Sequence, residues 1–267
     1  MAGTEKICLW SGRTLYIGSV PDLDFHAQAA ALVCIGLSGD FDLTREGGSA
    51  VICRSALIGP QVQHALKVHG GLCAFIFFDP DNPDYEYLLE CNTDHIDGGF
   101  VAGLKEEGDL LQVCQAIASA NDEKVISSAL VSLELSRGRK HQPLVNDERI
   151  QYVMRLLIED PGDSIPIETL ASQVDISPSR LAHLFKEQVG VPIRMFRTWF
   201  RLKTAVVQLK EGFNITEAAL RAGFYDSAHF ANTFRETFGL PPSVVFGPQR
   251  KIQWYVAESN LAPAAFR

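Results

Sequence analysis

The sequence predicts an α+β chain in two parts: an N-terminal β-barrel or sandwich with a few helices, then an all-α region with two helix-turn-helix motifs. Three observations predict it. Short apolar runs broken by glycine and proline fill the first 78 residues, which is the texture of a sandwich or small barrel. Beyond about residue 108 the apolar residues recur at helical spacing instead. In the second half, the block LFKEQVGVP returns as TFRETFGLP, and such self-similarity marks a duplicated supersecondary unit.

The strand candidates are Leu15–Val20, Ala31–Leu37, Phe41–Arg45, Ala50–Cys53, Ala56–Ile58, Ala65–Val68 and Cys73–Phe78. Between them stand the turn residues Gly39, Gly47, Gly48, Gly59, Pro60, Gly70 and Gly71. Helices are expected over about 108–135, where Leu110, Val113, Cys114 and Ile117 form one stripe and Ile126, Leu130 and Leu133 another. Those stripes either pack on the barrel or form a dimer contact. Residues 1–136 therefore read as one domain, with strands over about 7–78, and the polar, basic stretch 137–145 as a linker.

The second domain is expected over 146–250, with a tail at 251–267. Asn146 or Asp147 caps a helix that buries Ile150, Val153, Met154, Leu157 and Ile158. The first helix-turn-helix spans about 167–189: Ile167–Val174, then Ser177 as N-cap, Pro178 at the first helical position, and Gly190 as the stop. The second spans about 215–238, with Gly223 closing its first helix, Asp226 capping its second and Gly239 ending it. A long helix from Pro192 to about Lys210 joins them. Nineteen or so residues at ~1.5 Å each extend roughly 28 Å, close to the ~34 Å between successive major grooves on one face of a duplex.

Net charge is −8 over 267 residues, which on its own disfavours a polyanionic partner. The distribution says otherwise. Residues 1–140 carry 10 Lys/Arg against 19 Asp/Glu, while 177–250 carry 10 against 5. An acidic first half is expected to be repelled by a duplex and to project away from it. No apolar run approaches the ~20 residues of a membrane span. The first ten residues, MAGTEKICLW, lack a basic stretch followed by an apolar one, so a cytoplasmic setting is expected. Cys8, Cys34, Cys53, Cys73, Cys91 and Cys114 form no Cys-x-x-Cys pair and read as buried, reduced thiols. No glycine-rich phosphate loop follows a strand and no catalytic triad assembles, so no cofactor and no catalytic residue are expected. His26, His64 and His69 come from separated segments without a His-x-His pair, and no metal site is assigned to them.

Over residues 147–247 the chain resembles the AraC/XylS transcription regulators. The resemblance is carried by LASQVDISPSRLAHLFKEQVGVP, by Arg201 and Leu202, and by ITEAALRAGFYDSAHFANTFRETFGLPP. Its signature positions are Leu181, Phe185, Gly190, Gly223, Phe224, Asp226, His229, Phe230, Phe234, Gly239 and Pro242. The resemblance implies a bacterial-type regulator, often an activator acting on RNA polymerase, with a cupin-like sensing and dimerisation domain over 1–136. Gly39, Pro60 and His64 fall where such barrels have a turn and a Pro-x-x-x-His segment. The chain departs from the pattern at Asn232, where a basic residue is usual, at Pro241 in the Ser-Pro pair, and at Val245-Phe246 in the aromatic-Arg pair.

Helical facing assigns the groove residues. Ser179, Ala182 and His183 in the first recognition helix, and Ala228 and Asn232 in the second, face away from the core and are the base-reading candidates. Asn232 suits adenine N6 and N7, and Ala228 a thymine methyl. Arg180, Lys186, Arg201, Lys203, Arg221 and Arg235 are the phosphate candidates, and His229 is read as structural. For a small organic effector, Trp10, Tyr16 and Arg45 are wall candidates. The expected partners are thus double-stranded DNA, RNA polymerase, an effector and a second copy of the chain, with no membrane. The competing readings are a cupin-type metal-dependent enzyme fused to a DNA-binding tail and a module whose repeat binds protein.

Overall fold

The chain opens on a run of nine strands: β1 (Glu5–Trp10), β2 (Arg13–Ser19), β3 (Leu23–His26), β4 (Ala31–Gly36), β5 (Phe41–Arg45), β6 (Ala50–Cys53), β7 (Ser55–Ile58), β8 (His64–Lys67) and β9 (Leu72–Phe78). The computed structural model describes residues 5–139, 145–162 and 165–256, the side chains of 95–97 excepted. After β9 come α1 (Asp84–Cys91), β10 (Ile96–Asp97), β11 (Phe100–Ala102), α2 (Glu107–Ser119) and α3 (Glu123–Ser132). The helix α1 and the strands β1, β3, β10 and β11 were not among the predicted elements. Residues 140–144, the greater part of the expected linker, lie outside the described residues.

Two sheets face each other. The larger is ordered β10-β11-β7-β4-β9-β2-β1-β12 and the smaller β3-β8-β5-β6. Phe41, Leu43 and Leu66 from the small sheet meet Leu32, Cys34 and Phe75 from the large one. The reverse face of the large sheet is also covered, because Leu110, Cys114, Ile117, Ile126 and Leu130 pack there against Val33, Ile35, Ala74 and Ile76. A strand buried on both faces needs no alternation. That is why β4, ALVCIG, is apolar throughout and fully buried.

The remaining helices are α4 (Glu148–Glu159), α5 (Ile167–Gln173), α6 (Pro178–Val189), α7 (Ile193–Lys210), α8 (Ile215–Arg221), α9 (Ser227–Phe238) and α10 (Pro242–Phe246). Asp147, Ser177 and Asp226 accept the expected capping hydrogen bonds. Gly190 and Gly239 end α6 and α9 in the left-handed region. The tail does more than trail away. Residues Ile252–Val256 form β12, which pairs in parallel with β1 from Glu5↔Ile252 to Leu9↔Val256. Trp254 stacks on Phe246, and Arg250 pairs with Glu5. A C-terminal strand thereby completes the N-terminal sheet, a pairing that no local pattern announces.

The two halves share a core. Leu202, Ala205, Ala219, Phe224, Phe230 and Phe234 join the cluster that fills the space between the sheets. The first helix-turn-helix has its own cluster, in which Leu170, Leu181 and Phe185 pack on Phe196, Trp199 and Phe200 of α7. At the junction Phe77 of β9 lies 5.8 Å from Trp199 and 5.5 Å from Phe238, ring to ring. Beside it, Asp79 accepts from Lys203 Nζ at 2.5 Å and from Trp199 Nε1 at 2.8 Å. Asp79 and Lys203 are both buried.

Removing one partner of a buried ion pair strands the other charge. Asp79→Ala is therefore expected to lower stability by about 3–5 kcal/mol in denaturant unfolding. Asp79→Ala combined with Lys203→Met should recover most of that loss. A double variant as unstable as the single one would mean that the loss comes from elsewhere.

Candidate nucleic-acid interface and interdomain cavity

The two helix-turn-helix units are built alike. In α6 the core takes Leu181, Leu184, Phe185 and Val189; in α9 it takes Phe230, Phe234 and Thr237. What remains outward is Ser179, Arg180, Ala182, His183 and Lys186 on the first helix and Ala228, Asn232 and Arg235 on the second, all of them exposed. The five base-reading candidates thus stand on solvent-facing helix surface. His183 Nε2 lies 3.9 Å from Glu187 Oε2 one turn on, and both side chains are exposed. His229, although exposed, is occupied: its Nδ1 accepts the Tyr225 amide at 3.3 Å, and its ring meets Phe224 edge-on.

The phosphate candidates divide. Arg180 and Lys186 are exposed. Arg221 is exposed but rests its guanidinium 3.9 Å from the centre of the Phe213 ring. Arg201 is half-buried, donates through Nε to Pro161 O at 2.7 Å, and tethers α7 to the end of α4. Burial holds its pKa below the usual arginine range, with the nearby Arg197 charge adding to this. Lys203 faces inward onto Asp79 and has no surface to offer a duplex. Its sequence position carried that signal, because Phe196, Trp199, Phe200 and Lys203 follow the i, i+3, i+4, i+7 spacing of one helix face.

Arg235 is corrected in a different way. Its Nη2 lies 2.8 Å from Asp24 Oδ2 on β3, so the acidic N-terminal domain touches the second recognition helix instead of standing clear of it. Two backbone-level contacts reinforce the docking: the Asp24 amide donates to Gly239 O at 3.2 Å, and Gln61 Nε2 donates to Gly190 O at 2.9 Å. Gly239 has φ +74°, and a Cβ there would stand 2.6 Å from His26 Nδ1 and 2.8 Å from Asp24 O. Glycine is thus required twice over, for the helix stop and for the approach of β3.

Under that contact lie two imidazoles in contact, tilted 55° to each other. The rings of His26 and His64 are 4.2 Å apart. Each Nδ1–H donates to a nearby backbone carbonyl, His26 to Asp24 and His64 to Val62. Burial, helped by the neighbouring His26, pushes His64 down to about 3, and burial lowers His26 as well. Both are neutral at physiological pH. His69 is elsewhere, exposed and 3.4 Å from Asp42. Among the described residues no three His, Cys, Asp or Glu side chains gather in a manner that suits a metal ion.

Between the sheets and the second helix-turn-helix is a cavity of about 90 Å3. Its wall combines Ile7, Leu9, Thr14 and Tyr16 from the large sheet with Trp199, Leu202 and Lys203 of α7 and Phe234 and Phe238 of α9. His26 closes one side. Of the wall residues expected for an effector, Tyr16 is there. Trp10 points to the opposite face of the sheet, into the core beneath α2 and α3, and Arg45 instead packs over Gly98. Strand register decides this, and register is not readable from a two-residue period alone.

Comparison with known proteins converges on the helical half. Residues 170–247 match the family model described as a helix-turn-helix domain. The arabinose operon regulatory protein of Escherichia coli (strain K12) is 30% identical over 105 residues, 39% of this chain and 35% of that protein. The XylDLEGF operon transcriptional activator 1 of Pseudomonas putida is 27% identical over 143 residues, 52% of this chain and 43% of that protein. The chain thus spans well under half the length of these curated relatives. Unsaturated fatty acid bound ToxT from Vibrio cholerae strain SCE256 shares the fold, with a TM-score of 0.54, 14% identity and coverage of 88% of this chain and 95% of that one. No helix among the described residues is long and apolar enough to cross a membrane.

Proposed function

From a C-terminal domain of the AraC/XylS helix-turn-helix type, we propose that this chain is a sequence-specific DNA-binding transcription regulator whose activity responds to a small molecule. The observation that carries this reading is the duplicated helix-turn-helix, with α6 and α9 each presenting an exposed polar face and both mounted on the 18-residue helix α7. Ser179, Ala182, His183, Ala228 and Asn232 read bases. Arg180, Lys186 and Arg221 supply phosphate contacts, and Arg235 becomes one when a phosphate replaces Asp24. Arg201 and Lys203 act as framework.

The effector-responsive part rests on the cavity. Its wall is shared between the sheet and the helices α7 and α9, so a molecule inside it touches sensor and reader together. ToxT with an unsaturated fatty acid bound offers a precedent for a ligand on this fold. The chain acts in the cytoplasm, where its thiols stay reduced. RNA polymerase and a second copy of the chain are its protein partners, and the role is regulatory, not enzymatic.

Selection from a randomised duplex pool tests the reading. Two short motifs are expected, centred about 10–10.5 base pairs apart, one helical turn. Recovery of a pool without sequence preference would overturn it. On the selected site Asn232→Ala is expected to cost about 1–3 kcal/mol and to relax discrimination at one base pair. Lys186→Ala should weaken binding to every sequence alike and reduce the salt slope by about 0.9, as read from affinity measured across a salt series.

A further inference from the structure

The interdomain cavity has a charge state that decides what it can hold. Its wall is apolar except for Thr14, Tyr16, His26 and Lys203. Lys203 is its one cation, and that charge is already met: Nζ is 2.5 Å from Asp79 Oδ2, while Asp79 Oδ1 accepts from Trp199. An incoming carboxylate would have to displace a buried carboxylate from both donors and be desolvated in doing so, which is strongly unfavourable. Glu5 is a second carboxylate beside Tyr16, itself held by Arg250. His26 is neutral, its Nδ1–H committed to Asp24 O.

One wall atom, in contrast, lacks a partner. Thr14 Oγ1 is buried and makes no hydrogen bond among the described residues, whereas the Tyr16 hydroxyl, on a residue 8% exposed, is directed to the Glu5 carboxylate. Both project from β2 to the same side of the sheet, opposite Leu9 and Ile7 in register. Burial, with Glu5 adding to it, pushes the Tyr16 phenol well above its usual range, so it remains a neutral donor. A buried hydroxyl left unpaired is costly, and such an atom on a cavity wall asks for a ligand atom.

We propose that the cavity binds a small, uncharged, largely apolar molecule of about one ring in size, carrying a single hydroxyl or carbonyl group that pairs with Thr14. This deepens the effector-responsive reading and rests on it for its regulatory meaning, but the binding chemistry stands apart from DNA recognition. It also separates this chain from carboxylate recognition, because no unneutralised cation faces the cavity among the described residues.

The test uses the full chain and three probes of similar size at pH 7: cyclohexanol, cyclohexanecarboxylate and methylcyclohexane. Affinities come from calorimetric titration and from the ligand-dependent rise in Tm. Cyclohexanol is expected to bind at least tenfold more tightly than the carboxylate. Thr14→Val, which keeps the shape of the side chain, should lower cyclohexanol affinity about fivefold and leave methylcyclohexane unchanged. Val206→Phe, which fills the cavity from α7, should abolish binding of both. Carboxylate binding as tight as that of the alcohol overturns the proposal. So does a failure of all three probes at millimolar concentration, or cyclohexanol binding that Val206→Phe leaves intact. Duplex binding measured on the same samples separates the two readings: cyclohexanol binding without any DNA binding retains the site and removes the regulator.

Discussion

Asp79 is the hinge pin of the molecule. It leaves the end of β9, a central strand of the large sheet, and meets the side of α7, the helix that joins the two helix-turn-helix units. There it accepts from Lys203 and from the Trp199 indole. The pair is buried, so its geometry is tightly constrained: either partner alone would be an uncompensated charge. Around it the aromatic rings of Phe77, Trp199 and Phe238 close the same junction. This polar contact in an apolar wall registers the sheet against α7, and the cavity lies directly against it.

Three further contacts hold the C-terminal part of the chain against the strands: Arg235 on Asp24, Gly239 under His26, and β12 on β1. They differ in character. The Arg235–Asp24 pair is exposed and of little energetic weight, which lets a phosphate compete for the arginine. The β12 pairing is a continuous parallel ladder and is not so easily exchanged. The first helix-turn-helix has fewer such ties, and its core is largely its own.

Much of the helical half was legible in the sequence because its signals are local. Caps at Asp147, Ser177 and Asp226, stops at Gly190 and Gly239, and apolar stripes at helical spacing each act within a few residues. Ser179, Ala182, His183, Ala228 and Asn232 were placed on the exposed faces by that same spacing. Errors arose where a charge was assumed to mean a surface. Lys203 carries its charge on the buried stripe, and Arg201 spends its donors on Pro161 and Gly162. The net acidity of the first half led to the expectation that it stands clear of the helical half, and Asp24 instead reaches a basic residue of α9.

By itself, then, the sequence determined the helix-turn-helix repeat, the position of its helix ends and the apolar character of strands such as β4, since these follow from periodicity and backbone preference within short windows. Only the tertiary structure decided which arginines and lysines are free, that residues 252–256 return to the first strand, and that Tyr16 but not Trp10 faces the cavity. The physical reason is separation along the chain. Asp79 and Lys203, Asp24 and Arg235, and Glu5 and Arg250 are each joined across more than a hundred residues, and no local pattern encodes which distant charge a side chain will meet.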